Sequence, residues 1–135
     1  MPTFSDYLRD DYQVSLIGAI DFTYSNGLQS NPSSLHHTET ENQYMKATKA
    51  VGEILHQYDS DKVYPFFGFG GAPTFMGSEQ VSHCFPLNGS DAKPEIAGID
   101  NVIATYKDVV KNVKLLGPTH FAPMLQKTKE IVLAN

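Results

Sequence analysis

The strongest constraint on this chain is a short apolar run at residues 14–20. Val14, Leu16, Ile17, Ala19 and Ile20 crowd into seven positions, interrupted only by Ser15 and Gly18 and stopped by Asp21. A run this brief and this apolar fits a strand buried on both faces of a parallel sheet. In such sheets ligands bind outside the carboxyl ends of the strands, at the switch point. The loop that begins at Asp21 is therefore the first place to look for function.

The rest of the chain alternates in period. A polar loop at 22–40 is rich in Ser, Asn, Thr, Gly and Pro. Over 41–58 the residues Tyr44, Ala47, Val51, Ile54 and Leu55 mark one stripe of an amphipathic helix, with Lys46, Lys49 and Glu53 off it. The aromatic and β-branched run 63–70 predicts a second strand, with Pro65 at its start or on a free side. After a loop at 70–78, residues 81–85 alternate as a short strand, and 86–93 form another polar loop. A second helix is predicted over 94–112, with Pro94 in its first turn and Ile96, Ile99, Ile103, Tyr106 and Val110 on its apolar face. A third runs from Thr119, a candidate N-cap, to the end, with Pro123 in its first turn. Its shared face is Phe121, Met124, Leu125, Thr128, Ile131 and Val132. The order strand, helix, strand, strand, helix, helix predicts an α/β fold with a mostly parallel sheet flanked by helices.

Composition narrows the classes. The 135 residues are one domain's worth and need no disulfide or metal to build a core. Ten basic against fifteen acidic residues give a net charge of -5, the wrong sign for neutralising nucleic-acid phosphates. Cys84 is the single cysteine, so no internal disulfide forms and a reducing, cytoplasmic compartment is expected. The opening residues lack a basic start followed by an apolar run, so no secretory signal is expected. No stretch approaches the ~18 apolar residues of a membrane span.

In the loop after Asp21, oxygen side chains recur at every second position: Asp21, Thr23 and Ser25. One carboxylate and two hydroxyls curling at a strand end suit a hard divalent cation such as Mg²⁺. Two neutral hydroxyls would leave the ion electron-poor and ready to accept an acidic side chain from a partner. The competing reading is an Asp and Ser/Thr turn that caps the loop.

The wider context favours the cation. Residues 21–27 (D-x-T-x-S-N-G) follow an apolar strand, residues 117–123 (G-P-T-H-F-A-P) open a late helix, and between them stand 58–62 (Y-D-S-D-K) and 65–70 (P-F-F-G-F-G). Together with 81–83, 97–99 and 116–119 this set resembles the copines, specifically their von Willebrand factor A-like domain, over nearly the whole chain. A plant family of copine-like RING ubiquitin ligases shares much of it, including a stretch like 34–37.

The resemblance implies a metal-ion-dependent adhesion site of Asp21, Thr23, Ser25 and Thr119. Thr23 and Ser25 would be direct ligands, and Asp21 and Thr119 direct or water-mediated ones. It implies Mg²⁺ or Mn²⁺, with Ca²⁺ as a further option, and a protein partner offering an acidic side chain. It also implies a binding role rather than an enzymatic one. Calcium-dependent recruitment to membrane phospholipid would reside in modules outside these residues. The family's further Asp, in a T-D-G-like turn on a later strand, has no counterpart in 1–135. The chain is therefore expected to be a partial A-like domain lacking the C-terminal strands. Metal binding would be weak or absent, and the open edge of the first strand would be covered by a dimer, a swapped segment or the chain's own terminus. The alternative is the partner-binding part of a RING ligase. A hydrolase using Asp21 lacks a base in any recognisable motif.

Other residues carry less. His36 and His37 are expected to be solvated loop histidines, since neighbours rarely converge on one metal and no partner stands at zinc spacing. Cys84 and His83 would point to opposite faces of a strand, which leaves a packed thiol. His120 is expected at the helix start, and Asp59 and Asp61 in a helix-ending turn. Phe66, Phe67 and Phe69 are expected in the core.

Overall fold

The computed structural model describes residues 1, 3, 5, 6, 16–28, 31–37, 41–55 and 63–134. In chain order its elements are β1 (Gly18–Asp21), α1 (Gln43–Leu55), β2 (Val63–Phe69), β3 (Gly71–Ala72), β4 (Phe85–Pro86), β5 (Glu95–Ala97), α2 (Ile99–Val110), β6 (Lys114–Leu115) and α3 (Ala122–Ala134). Two 3₁₀ turns, Tyr24–Asn26 and Thr74–Met76, sit in loops.

The sheet is mixed. The expected parallel pairing joins β1 to β2, from Gly18↔Phe66 to Asp21↔Phe69. On its other side β2 pairs antiparallel with β4 and with β5, and β3 pairs antiparallel with β6 in a separate ribbon. The strand buried on both faces is β2, not β1. Tyr64 and Phe66 enter a main core with α1 and α2, whereas Phe67 and Phe69 enter a second cluster with Met124 of α3. Helices therefore cover the sheet in three layers. In β1, Ile20 is buried but Ala19 is exposed, and no strand pairs with its outer side among the described residues. Val14 and Ser15 lie outside the described residues, as do Asp59 and Asp61.

Several predicted elements shift, each for a tertiary reason. The buried face of α1 is Met45 and Gly52, with Tyr44, Thr48 and Leu55 half-buried; Ala47, Val51 and Ile54 face outward. Gly52 sets this rotation. A Cβ there would lie 2.3 Å from Ile99 Cγ1, so the bare backbone lets α1 approach α2 closely. Pro94 opens no helix. It precedes β5, because pairing of residues 95–97 with the start of β2 overrides their helical spacing, and α2 begins only at Ile99. The strand predicted at 81–85 reduces to an isolated bridge at Ser82 and to β4, which begins at Phe85. Helix α3 starts at Ala122, so Thr119 is not its cap. Met124 is its buried residue, while Phe121, Leu125 and Val132 are 60–68% exposed. Among the described residues no helix is long and apolar enough to cross a membrane.

Candidate functional site

Strands β1 and β2 end together, and the sheet positions the loop that follows. The Phe22 amide still donates to the Phe69 carbonyl at 2.7 Å, one step past the ladder. The chain then turns on the Asp21 side chain. Asp21 Oδ1 accepts from the Thr23 amide at 2.9 Å and from the Thr23 hydroxyl at 2.5 Å, an Asp-based turn of the kind the spacing allows. Thr23 also bridges to Leu116 in parallel sense, and the Tyr24 amide donates to the Leu116 carbonyl at 2.7 Å. That register delivers Thr119, 96 residues away in sequence, to the same point. Its hydroxyl lies 2.5 Å from that of Thr23. Thr23 has one hydroxyl proton and gives it to Asp21, so it accepts from Thr119.

Three of the four expected residues thus converge: Asp21 half-buried, Thr23 buried and Thr119 half-buried. Ser25 makes no hydrogen bond with them. It lies exposed on the 3₁₀ turn, outside the hydrogen-bonded trio. Beneath the trio is Gly70, with φ of 81°; a Cβ there would stand 2.4 Å from Thr23 Oγ1 and 3.3 Å from Asp21 Oδ1.

A second set of residues holds the loop from behind, and here the expectation for His36 is overturned. His36 is fully buried, while His37 is half-buried. The His36 ring stacks between Phe22 (5.2 Å, 8°) and Tyr44 (4.6 Å, 0°). Its Nε2 is 2.7 Å from the Asp21 carbonyl oxygen, and its Nδ1 is 2.6 Å from the Tyr106 hydroxyl. The same carbonyl accepts from Asn26 Nδ2 at 3.0 Å and from the Tyr44 hydroxyl at 3.2 Å. Ser34 clasps the far end of the turn, its one hydroxyl proton shared between the Asn26 and Gly27 carbonyls at 2.9 and 2.6 Å. Burial pushes the His36 imidazole below its usual range, partly offset by the hydrogen bond to Asp21 and its charge. Burial likewise pushes the Tyr44 phenol up to about 12 and raises that of Tyr106. Sequence spacing gives no hint of His36. Tyr106 does carry a signal, because a tyrosine on an apolar helix face needs a partner for its hydroxyl.

His120 is exposed and meets His83 edge-on at 4.6 Å, and His83 Nδ1 is buried without a hydrogen-bond partner. Cys84 is half-buried against the second cluster, and burial raises its thiol.

The donors at the site are hard oxygens. No group of three or more His, Cys, Asp or Glu side chains able to hold a metal occurs among the described residues. To hold a small oxygen-seeking cation the trio would need one adjustment. Neighbouring ligands of octahedral Mg²⁺ at ~2.0–2.1 Å stand about 2.9 Å apart. Oxygens 2.5 Å apart must therefore separate by a few tenths of an ångström to admit it.

Residues 34–135 match the copine family model. The chain belongs to the copine family. It is 41% identical to "Protein BONZAI 1" of Arabidopsis thaliana over 136 residues, covering 98% of the chain and 23% of that relative. It is 41% identical to "Protein BONZAI 2" of the same plant over 132 residues, covering 96% and 22%. The chain thus spans less than a quarter of the length of these relatives. Both matches run through the Asp21 loop, which the family model, starting at Ser34, does not reach.

Proposed function

We propose that this copine-family chain is a metal-dependent protein-interaction module of von Willebrand factor A-like architecture. In this reading Asp21, Thr23 and Thr119, joined by Ser25 from the adjoining turn, hold a hard divalent cation, Mg²⁺ or Mn²⁺. The bound ion supplies positive charge for an acidic side chain of a protein partner. Calcium-dependent phospholipid binding would belong to other parts of the longer proteins this chain resembles.

The observation that carries the reading is the convergence of Asp21, Thr23 and Thr119 through two 2.5 Å contacts. A turn-capping role accounts for Asp21 and Thr23 but not for Thr119, which comes from the far end of the chain to a strand-end loop. With a single carboxylate in the trio, affinity should be weak. The test is a Mn²⁺ titration followed by paramagnetic broadening in amide NMR spectra. Amides of Thr23, Ser25 and Thr119 should broaden first, and Asp21→Ala should remove the effect while the remaining spectrum keeps its dispersion. Broadening that starts at other acidic residues, or that survives in Asp21→Ala, would reject the site.

A further inference from the structure

We propose that His36 is the positioning residue of the oxygen loop, fixing the Asp21 peptide and tying it to the helical layer. The role bears on metal binding only through the function proposed above; its geometry stands apart from that reading.

The hydrogen-bond roles follow from what each atom can do. The Asp21 carbonyl only accepts, so His36 Nε2 carries the proton that lies 2.7 Å from it. Nδ1 is then the bare nitrogen and accepts from the Tyr106 hydroxyl at 2.6 Å. The Tyr106 oxygen accepts in turn from Asn42 Nδ2 at 3.0 Å. Asn42 Oδ1 accepts from the Met45 amide at 3.0 Å, in the manner of an N-cap for α1. One chain of donors therefore runs from the first turn of α1, through the middle of α2, to the last residue of β1. Every polar side-chain atom along it has a partner, which is the condition for a buried polar chain to fix one geometry.

Of the three donors to the Asp21 carbonyl, His36 is the nearest and the one fully buried. It is held on both ring faces by Phe22 and Tyr44, and through Nδ1 by Tyr106. Asn26 and Tyr44 hold the same oxygen from the turn and from α1, at longer range. The peptide that His36 grips belongs to the residue whose carboxylate organises Thr23. Rotation of that peptide swings Oδ1 away from the Thr23 amide and hydroxyl, and with them from Thr119. The packing of α2 against the sheet is thereby transmitted to the site through the imidazole, beside the direct bond that Tyr44 makes from α1.

The test uses the full chain with His36→Phe, which keeps an aromatic ring in the stack and removes both hydrogen bonds. Tyr106→Phe is the milder companion should the first fail to fold. Amide hydrogen exchange is read at Phe22 and Tyr24, whose amides donate to Phe69 and Leu116. Leu87, whose amide donates to Phe66 away from the network, is the reference. Exchange at Phe22 and Tyr24 should rise about tenfold more than at Leu87, in line with loss of the one bond that holds the Asp21 carbonyl from His36. Mn²⁺ affinity should fall with it. An equal rise at all three amides, with unchanged Mn²⁺ affinity of the folded protein, would overturn the proposal and leave His36 a packing residue. If the unsubstituted chain binds no Mn²⁺, the proposed function fails, while the exchange comparison still decides the positioning role.

Discussion

Replacing Gly70 by alanine tests how tightly the site is built, and Gly77 supplies its control. Both glycines have φ of 81°, a backbone setting that costs an L-residue about 1–2 kcal/mol. Their surroundings differ. An added Cβ at Gly77 meets nothing within 4 Å, whereas at Gly70 it meets Thr23 Oγ1 at 2.4 Å, the Thr23 amide nitrogen at 3.1 Å and Asp21 Oδ1 at 3.3 Å. These atoms cannot yield freely. The Thr23 hydroxyl is held between Asp21 and Thr119, and the amide is bonded to Asp21. Overpacking of a fixed surrounding adds about 1–3 kcal/mol. Gly77→Ala should therefore cost about 1–2 kcal/mol and Gly70→Ala about 2–5 kcal/mol. With a urea dependence of about 2 kcal/mol per molar, the Gly70 variant should unfold about 0.5–1.5 M earlier than the Gly77 variant. Urea titration followed by circular dichroism measures both. Coincident midpoints would show that the Asp21–Thr23 turn yields at no cost, and the reasoning from a rigid, preassembled oxygen cluster would fail.

Two further outcomes follow from buried titratable groups. Burial keeps His36 neutral in the folded chain at pH values where the unfolded chain, with a midpoint near 6.5, takes up a proton. Its contribution is therefore fully present above about pH 6.5 and is lost as the pH falls from there toward the folded midpoint. An NMR titration should place the His36 ring midpoint below 6.5, and a midpoint at or above that value would refute the burial argument. Burial raises the Cys84 thiol above its ordinary range; Lys127 opposes the shift while Asp91 and Glu130 add to it. Its alkylation by iodoacetamide at neutral pH should be slower than that of a free cysteine, with a rate midpoint above that of the free thiol. A rate equal to the free thiol's would place the side chain in solvent.

The oxygen loop was legible because its chemistry is local. Asp21 and Thr23 are two residues apart, and the turn they make needs only its own backbone. The β2 run was legible because a strand covered on both faces has no polar side to show, and here Phe66 and Phe67 go to opposite clusters. The face of α1 does not show in the spacing because a buried position is Gly52, which has no apolar side chain to reveal it. Residues 94–98 depart from the helix their spacing suits because β2 offers a strand partner that outweighs it. On α3 the apolar spacing is real, yet Leu125 and Val132 lie exposed, as does Phe121 just before the helix, because burial depends on a neighbour and not on the helix.

By itself, then, the sequence determined the alternation of strand and helix, the aspartate at a strand end and the hydroxyl two residues on. The tertiary structure alone decided that Thr119 meets Thr23, that Ser25 lies exposed on the adjoining turn, and that His36 turns from a loop residue into the buried prop behind Asp21. The physical reason is range. Turn chemistry and hydrophobic period act over a few residues, whereas a hydroxyl 96 positions away or an imidazole between two rings is placed only when the sheet and helices pack.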